Sequence, residues 1–335
     1  MNASAGVSPD LFLDQLLGFQ KTAALKAAIA LDVFSAIGTG SETAGSIASR
    51  ARAAERGIRI LCDFLTVNGH LEKQADRYRL TASSAMFLDR ASPACMVDVA
   101  AFLASPAVIG RYVDDPVSFV RNGGSVGLAS VAPEDESWVT FAEAMVPFMA
   151  PVAQGVAAAA TAFAQRPRRV LDIAAGHGMF GITIARQSPG ARLVALDWPN
   201  VLAVARENAA KAGVAERFDT IAGSAFDVDW GRDYDIVLLP NFLHHFDRPT
   251  NESLLRRARE ALAPDGRVPV VEMVPNDDRV SPPFPATFAY MMLGGTPHGD
   301  AYTLAEFDAM GRAAGFTNMS SQPLPPSPQT LIILS

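Results

Sequence analysis

The chain has little cysteine and little charge. Only Cys62 and Cys95 occur among 335 residues. Two thiols by themselves make neither a disulfide framework nor a metal site, and both read as reduced. Charged residues make up 19% against 49% hydrophobic, which excludes a disordered chain. The formal net charge of −7 leaves no basic surplus of the kind a nucleic-acid partner demands. The opening MNASAGVSPD lacks the basic and then apolar segments of a secretion signal, and the most apolar run, VAAAATAFA at 156–164, is too short to span a bilayer. The expectation is a cytoplasmic globular protein acting on a small neutral or apolar molecule, with no nucleic-acid or membrane partner.

What is present suggests two domains, on length alone. Residues 10–37 carry apolar side chains at helical spacing. SETAGSIASRA begins with Ser41 and Glu42 close to a capping box, and the helix after it, roughly 54–68, places Ile58, Leu61, Cys62 and Leu65 on one face. LEKQADRYRLT at 71–81 reads as a hairpin. Helices followed by a two-stranded wing make a winged helix, a fold that often binds DNA. In the helix that would enter the groove, however, Arg56 and Arg59 are offset by Glu55 and Asp63. That is a poor phosphate binder, and packing against a partner subunit is the better expectation.

Residues 91–168 read as mostly helical with a Gly/Pro-containing break. Trp138, Phe141, Met145 and Phe148 then recur at spacings of three and four. Such a stripe is either core-facing or the wall of a pocket for a flat aromatic ligand. From 168 onward, short β-like runs (RRVLDI, ARLVAL, RFDTIA, YDIVLL, GRVPVVE) alternate with helical segments near 179–187, 200–212 and 250–262, the mark of a parallel sheet wrapped by helices. Pro269 is awkward in a central strand and is expected near its start. FTNMSS and QTLIILS could close the sheet as an antiparallel pair.

VLDIAAGHGMFG places Gly176, Gly178 and Gly181 in a G-x-G-x-x-G pattern after a strand and before a helix. The dinucleotide reading predicts NAD or FAD with its pyrophosphate on the helix N-terminus. Three features point to another cofactor. Asp172 ends the strand before the loop, where a carboxylate could meet a cationic amino-acid group. Asp197 ends the next strand, placed for two ribose hydroxyls, and AGSAF at 222–226 ends another strand with Phe226 available to flank an adenine. An amino acid, a ribose and an adenine without phosphate describe S-adenosylmethionine, with S-adenosylhomocysteine as product.

On these motifs the sequence resembles the class I S-adenosylmethionine-dependent O-methyltransferases, in particular the dimeric caffeic-acid and acetylserotonin type and its bacterial branch. LDIAAGHG resembles the family's D-[VI]-G-G-G-x-G, ALDWPNV its D-L-P-x-V, NFLHHFD its L-H-D-W and, more weakly, GSAF its G-D-x-F. The resemblance covers nearly the whole chain. It implies a winged-helix dimerisation domain over 1–100, a helical linker contributing to the substrate pocket over 101–165, and an α/β, Rossmann-like catalytic domain over 166–335 whose mostly parallel sheet has seven strands. It also implies a homodimer joined through the N-terminal domain.

Carried onto this sequence, the resemblance implies a cofactor site at Asp172, Ala174, Gly176, Gly178, Asp197, Trp198, Ser224, Ala225, Phe226 and Asn241. Ala174 and Ala175 stand where the family has glycines, Ser224 where it has an aspartate and Pro240 where a lysine often helps. His244 corresponds to the family's general base, and Glu272, 28 residues later, to the carboxylate that orients it. Asp300 lies near where the family has a second acidic residue, one position out of register, and is carried with them as catalytic. The base chemistry is sound: a phenol with a pKa near 10 stays protonated at neutral pH, so its oxygen attacks a methyl group best when a base takes the proton.

For the aromatic acceptor the expected contacts are Trp138, Phe141, Met145, His245, Phe246, Phe288, Met291 and Met292. No carboxylate cluster stands apart from these roles, so no metal is expected. His245 occupies the family's aspartate position, which leaves open which imidazole is the base. The competing readings are a relative that methylates carbon, nitrogen or sulfur or performs another reaction with the same cofactor, an NAD-dependent oxidoreductase, and a winged-helix regulator.

Overall fold

A computed structural model describes residues 7–126, 136–163 and 167–335. The chain falls into two compact units, Met1–Ser105 and Pro106–Ser335. Most of the helical stretch expected as a linker over 101–165 therefore belongs to the second unit.

In the first unit the helix Glu55–Val67 buries Ile58, Cys62 and Leu65, and Leu61 packs half-buried against the same core. That burial pushes the Cys62 thiol up to about 12 and leaves it unreactive. The preceding helix, Ala44–Ala51, is capped by Thr43, whose hydroxyl accepts the Ser46 amide at 3.2 Å. Glu42 instead accepts the Ser46 hydroxyl at 2.6 Å, so the cap lies two residues beyond the Ser41 expected from the sequence. The wing is real: β2 (Leu71–Gln74) and β3 (Arg77–Leu80) pair antiparallel, and β1 (Glu42–Thr43) adds a third strand on the other side of β3. Asp63 on the long helix accepts Tyr78 Oη at 2.7 Å and pairs with Arg59 and Lys73, which consumes charge on the face a DNA-binding helix would present.

The second unit is built on seven strands: β4 (Arg169–Ile173), β5 (Arg192–Asp197), β6 (Phe218–Ala222), β7 (Tyr234–Pro240), β8 (Leu262–Glu272), β9 (Met319–Pro323) and β10 (Thr330–Leu334). Their order is β6-β5-β4-β7-β8-β10-β9, parallel from β6 through β8, with β10 antiparallel to both of its neighbours. Helices Met179–Gln187, Pro199–Lys211 and Arg248–Ala261 make the crossovers. Helices covering both faces explain why Ile236, Val237, Leu238 and Leu239 in β7 are all fully buried. The chain turns back on itself at β4, with β5 on one side and β7 on the other. At that reversal a crevice opens beyond the carboxyl ends of the strands, and Asp172, Asp197, Asn241 and Glu272 all lie at or just after such ends.

β8 starts at Leu262, well before Pro269, against the sequence expectation. Its pairing with β7, however, jumps from Tyr234↔Leu262 to Ile236↔Arg267. Regular pairing thus begins two residues before the proline, where the missing N–H is tolerated. The stripe at 138–148 lies on one helix, Glu136–Phe163, that continues through Pro147 and Pro151. Its buried face is mostly small (Ala142, Ala153, Ala157, Ala160), so it packs closely on the helices Met179–Gln187 and Pro199–Lys211. Its segment Glu136–Ala162 is the one span among the described residues long and apolar enough to cross a membrane, and 44% of its most apolar window is buried within the protein.

Candidate active site

The loop after β4 is shaped by backbone that L-residues avoid. Ala174, Gly176 and Gly178 have φ of 51°, 56° and 72°. A side chain in this region costs about 1–2 kcal/mol, partly offset by the greater freedom glycine has when unfolded. Ala174→Gly is therefore expected to stabilise the protein by roughly 0.5–1 kcal/mol, read as a higher denaturant midpoint at unchanged slope. Gly181 is needed for space instead. A Cβ there would collide with the Leu193 side chain of β5 and come within 3.0 Å of Asp172 Oδ2. The third glycine of the pattern thus lets helix and sheet approach closely.

Asp172 differs from its expected place. It is fully buried behind the loop, Oδ2 accepting the Gly181 amide at 3.0 Å, and is absent from the cavity wall. Oδ1 is buried with no hydrogen-bond partner. Burial, reinforced by the Asp197 charge, pushes the Asp172 carboxyl up to about 8. Gly178, too, acts from behind the wall, as the N-cap of helix Met179–Gln187. His177, not among the expected site residues, accepts the Met179 amide on Nδ1 at 3.0 Å, and its carbonyl accepts Asn208 Nδ2 at 2.9 Å. Burial pulls its pKa down to about 4, so the ring is neutral and able to accept. Two amides of the helix N-terminus are thereby taken by the protein's own side chains, one of them acidic. A pyrophosphate would find that anion site filled.

In front of the loop lies a cavity of about 250 Å³. Ala174 and Gly176 form its floor, and Asp197 and Trp198 its side. Asp197 Oδ2 accepts the Gly176 amide and Oδ1 the Trp198 amide, each at 2.7 Å. Each oxygen keeps a further lone pair for a ligand hydroxyl. Burial raises the Asp197 carboxyl to about 6 even though both amide bonds oppose the shift. Ser224, Ala225 and Phe226 close another side, with Phe226 still 45% exposed. Asn241, at φ 54°, also lines the cavity, its amide group held by Gln329 Nε2 and by Met149 Sδ at 3.6 Å.

The two histidines sit on a single 3-10 turn, Leu243–His245, that follows β7. Glu272, at the end of neighbouring β8 and 1% exposed, reaches across with both oxygens. Oε1 accepts the amides of Phe242, Leu243 and His244 at 3.1, 2.8 and 3.3 Å. Oε2 stands 2.6 Å from His244 Nδ1. A carboxylate has no proton to give, so Nδ1 carries the hydrogen and Nε2 keeps its lone pair in the neutral ring. The His244 ring lies 4.9 Å from Phe288 and 4.3 Å from His245. His245 takes a separate position, in the cavity wall and edge-on to Trp138 at 5.9 Å. Burial and the adjacent His244 push its pKa well down, and Glu272 does not bond to it.

Trp138, Phe141 and Phe246, expected as acceptor contacts, join His245 in the wall. Met145 does not: it is buried in the core. Met292 is likewise buried, and Met291 is 39% exposed, its carbonyl accepting Tyr112 Oη at 2.7 Å. Asp300 is also placed elsewhere than expected. Its carboxylate faces Arg279 at 3.3 Å, and Arg279 in turn makes a two-pronged bond to Glu306. Only the backbone of Asp300 meets the histidine turn, its amide donating to the His244 carbonyl at 3.0 Å. Gly299 must be small for this, because a Cβ would collide with that carbonyl oxygen. Leu196, Val201, Gly223 and Phe242 line the cavity without having been expected. Among the described residues no group of three metal-ligating side chains comes together.

Comparison with known proteins agrees with this geometry. Residues 126–317 match a family model described as an O-methyltransferase domain, and 13–90 match one described as an O-methyltransferase dimerisation domain. The 3-hydroxy-5-methyl-1-naphthoate 3-O-methyltransferase of Streptomyces sahachiroi is 31% identical over 314 residues, covering 92% of this chain and 89% of its own. The crystal structure of a proposed O-methyltransferase from Nostoc punctiforme PCC 73102 is 47% identical, with a TM-score of 0.95 over 98% of this chain and 99% of that one. Human N-acetylserotonin methyltransferase, solved in complex with SAM, shares the fold at a TM-score of 0.83 and 21% identity, covering 100% of this chain and 99% of the human one.

Proposed function

Because the chain belongs to the O-methyltransferase family and carries that family's dimerisation domain ahead of the catalytic one, we propose that it methylates a hydroxyl on a small, flat aromatic acceptor, with His244 as the base. It is an S-adenosylmethionine-dependent O-methyltransferase. The observation that carries the base assignment is the 2.6 Å contact between His244 Nδ1 and Glu272 Oε2 at the strand ends that also carry Asp197.

The residues at the crevice fit S-adenosylmethionine. Asp197 offers acceptors for two ribose hydroxyls. Trp198 and Phe226 give flat surfaces for a base. The cavity wall includes no lysine or arginine, which suits a cofactor without phosphate and counts against the dinucleotide reading together with the occupied helix N-terminus.

When bound, the cofactor supplies an electrophilic methyl on sulfur. The chain's part is to hold the acceptor oxygen in line and remove its proton. Nε2 of His244 takes that proton as the new oxygen–methyl bond forms and the sulfur–methyl bond breaks. Glu272 then faces an imidazolium, which it stabilises. The aromatic wall of Trp138, Phe141 and Phe246 supports a ring-bearing acceptor over an aliphatic one.

The reading is tested by calorimetric titration with S-adenosylmethionine, S-adenosylhomocysteine and NADH, followed by methyl transfer to a panel holding 2-naphthol, catechol, N-acetylserotonin and a hydroxynaphthoate. Binding of the first two ligands and methyl ether formation on a phenol are expected. Binding of NADH alone, or methylation of nitrogen or carbon alone, would overturn it. Glu272→Gln keeps the shape but replaces an ionic acceptor with a neutral one. It is expected to lower kcat about tenfold, less than removal of His244, because the turn amides keep an acceptor. The opposite order would make Glu272 the base.

A cytoplasmic homodimer completes the proposal. Leu11, Phe12, Leu16 and Phe19 of the first two helices are all more than half exposed, an apolar face that runs from just before the matched dimerisation segment into it. Light scattering is expected to give twice the mass of the chain, 35.5 kDa.

A further inference from the structure

The turn that carries both histidines is held from two sides, and only one of them was expected. Glu272 gathers its amides from the sheet. Its carbonyls are gathered from the helix Arg248–Ala261, which begins directly after it. Asp247 caps that helix by accepting the Thr250 amide at 3.0 Å. Asn251 in that first turn has no exposed surface. Its Nδ2 donates to the Leu243 carbonyl at 2.9 Å and to the Phe246 carbonyl at 3.3 Å, the two that bracket His244 and His245.

The acceptor half of the same amide tells what the side chain is for. Oδ1 is buried with no hydrogen-bond partner. A side chain present only to fill space would be better as leucine, which leaves no orphaned oxygen. The donor half alone accounts for an amide at this position, and both of its bonds end on the catalytic turn. Tyr302 Oη adds a second donor to the Phe246 carbonyl at 2.5 Å, and the Asp300 amide takes the His244 carbonyl. No other side chain among the described residues donates to the Leu243 carbonyl.

We propose that Asn251 is a positioning residue for the methyl transfer, pinning the Leu243–Phe246 backbone so that the His244 ring stays in register with Glu272. The inference rests on the reading of His244 as the base. A base displaced by a fraction of an ångström from its carboxylate and its acceptor loses its proton-transfer geometry, while Asn251 makes no bond to the loop after β4 or to Asp197 at the end of β5.

Asn251→Ala and Asn251→Asp test it, each made in the wild-type and the His244→Ala backgrounds. In the wild-type background kcat on the panel phenol is expected to fall roughly tenfold to a hundredfold, with the S-adenosylmethionine Kd within about twofold. In the His244→Ala background neither substitution should lower kcat further. A readout that needs no acceptor is the proton on His244 Nδ1, followed by NMR in protein labelled with ¹⁵N-histidine. Its low-field signal should shift or exchange faster in the variants.

A wild-type kcat and an unmoved Nδ1 proton in the variants would overturn the proposal. So would an equal fractional loss in both backgrounds, which would mark a general structural role. Should Asn251→Ala fail to fold, Asn251→Asp keeps the shape while aiming an acceptor at two carbonyls, and full activity there would overturn the proposal alone. Failure of the base reading looks different: His244→Ala itself would then keep its turnover.

Discussion

His244→Ala is expected to lose between a hundredfold and ten-thousandfold in kcat while binding S-adenosylmethionine as tightly as the wild type. The lower bound comes from the usual worth of a positioned general base. The upper bound applies when the remaining barrier reduction, in-line placement of oxygen, methyl and sulfur, supplies about 7–11 kcal/mol and survives the substitution. Cofactor affinity should be spared because the His244 ring is held between Glu272 and Phe288, whereas the cavity wall is contributed by His245. The same geometry separates the two imidazoles. His245→Ala opens the wall beside Trp138 and is expected to raise the KM of the acceptor more than it lowers kcat. Stopped-flow or steady-state kinetics with a panel phenol checks both. A His245→Ala enzyme that binds normally and loses turnover, beside an active His244→Ala, would transfer the base role to the second histidine.

The parts of this site legible in the sequence share a property: each sits at a fixed offset from the carboxyl end of a β-strand. The glycine loop, Asp197, the cavity-lining Ser224–Phe226 stretch and the His244–Glu272 pair all follow apolar runs whose alternation with helices already defines a parallel sheet. A local motif plus that topology is enough to bring them together. Asp300 fails this test, because it lies in a loop 28 residues beyond the end of β8. Matching it by spacing therefore missed the ion pair with Arg279 that fixes its side chain. Asp172 was found at the right position but on the wrong side of the loop, since the sequence does not show that the Gly181 amide turns toward it.

What stayed hidden acts through backbone atoms. His177, Asn251 and Tyr302 bond to backbone amides or carbonyls. Such bonds leave neither periodicity nor a charge pattern. Met145 illustrates the opposite difficulty, a residue whose helical spacing matched the pocket stripe equally well as core and cavity. The close packing of the small-residue face of helix Glu136–Phe163 decided for the core.

Asp197→Ala should weaken S-adenosylmethionine by at least about a hundredfold, because hydrogen bonds to a charged group are worth roughly 1.5–3 kcal/mol each and two ribose hydroxyls lose their acceptor. The loss also frees the amides of Gly176 and Trp198, which now bond to the carboxylate and hold the cavity floor in shape. The raised pKa adds a pH signature. Burial places the Asp197 carboxyl at about 6, above its value in the unfolded chain. For the free protein this group's stabilising contribution is full below about pH 4 and lost as the pH rises through 6.

Ligand binding runs the other way, since hydroxyls donate to the ionised form. Affinity should be flat above pH 7 and fall below 6, by about tenfold at pH 5, with one proton released on binding in that window. Asp172, held at about 8, stays protonated throughout and adds no slope there. Asp197→Asn separates the two effects: it keeps neutral hydrogen-bonding groups at the same place, so binding should be weaker than wild type at pH 7.5 and unchanged between pH 5 and 7. A wild-type Kd that is equally flat over that range, measured by calorimetry in buffers of different ionisation enthalpy, would mean that Asp197 is not the group that meets the ribose.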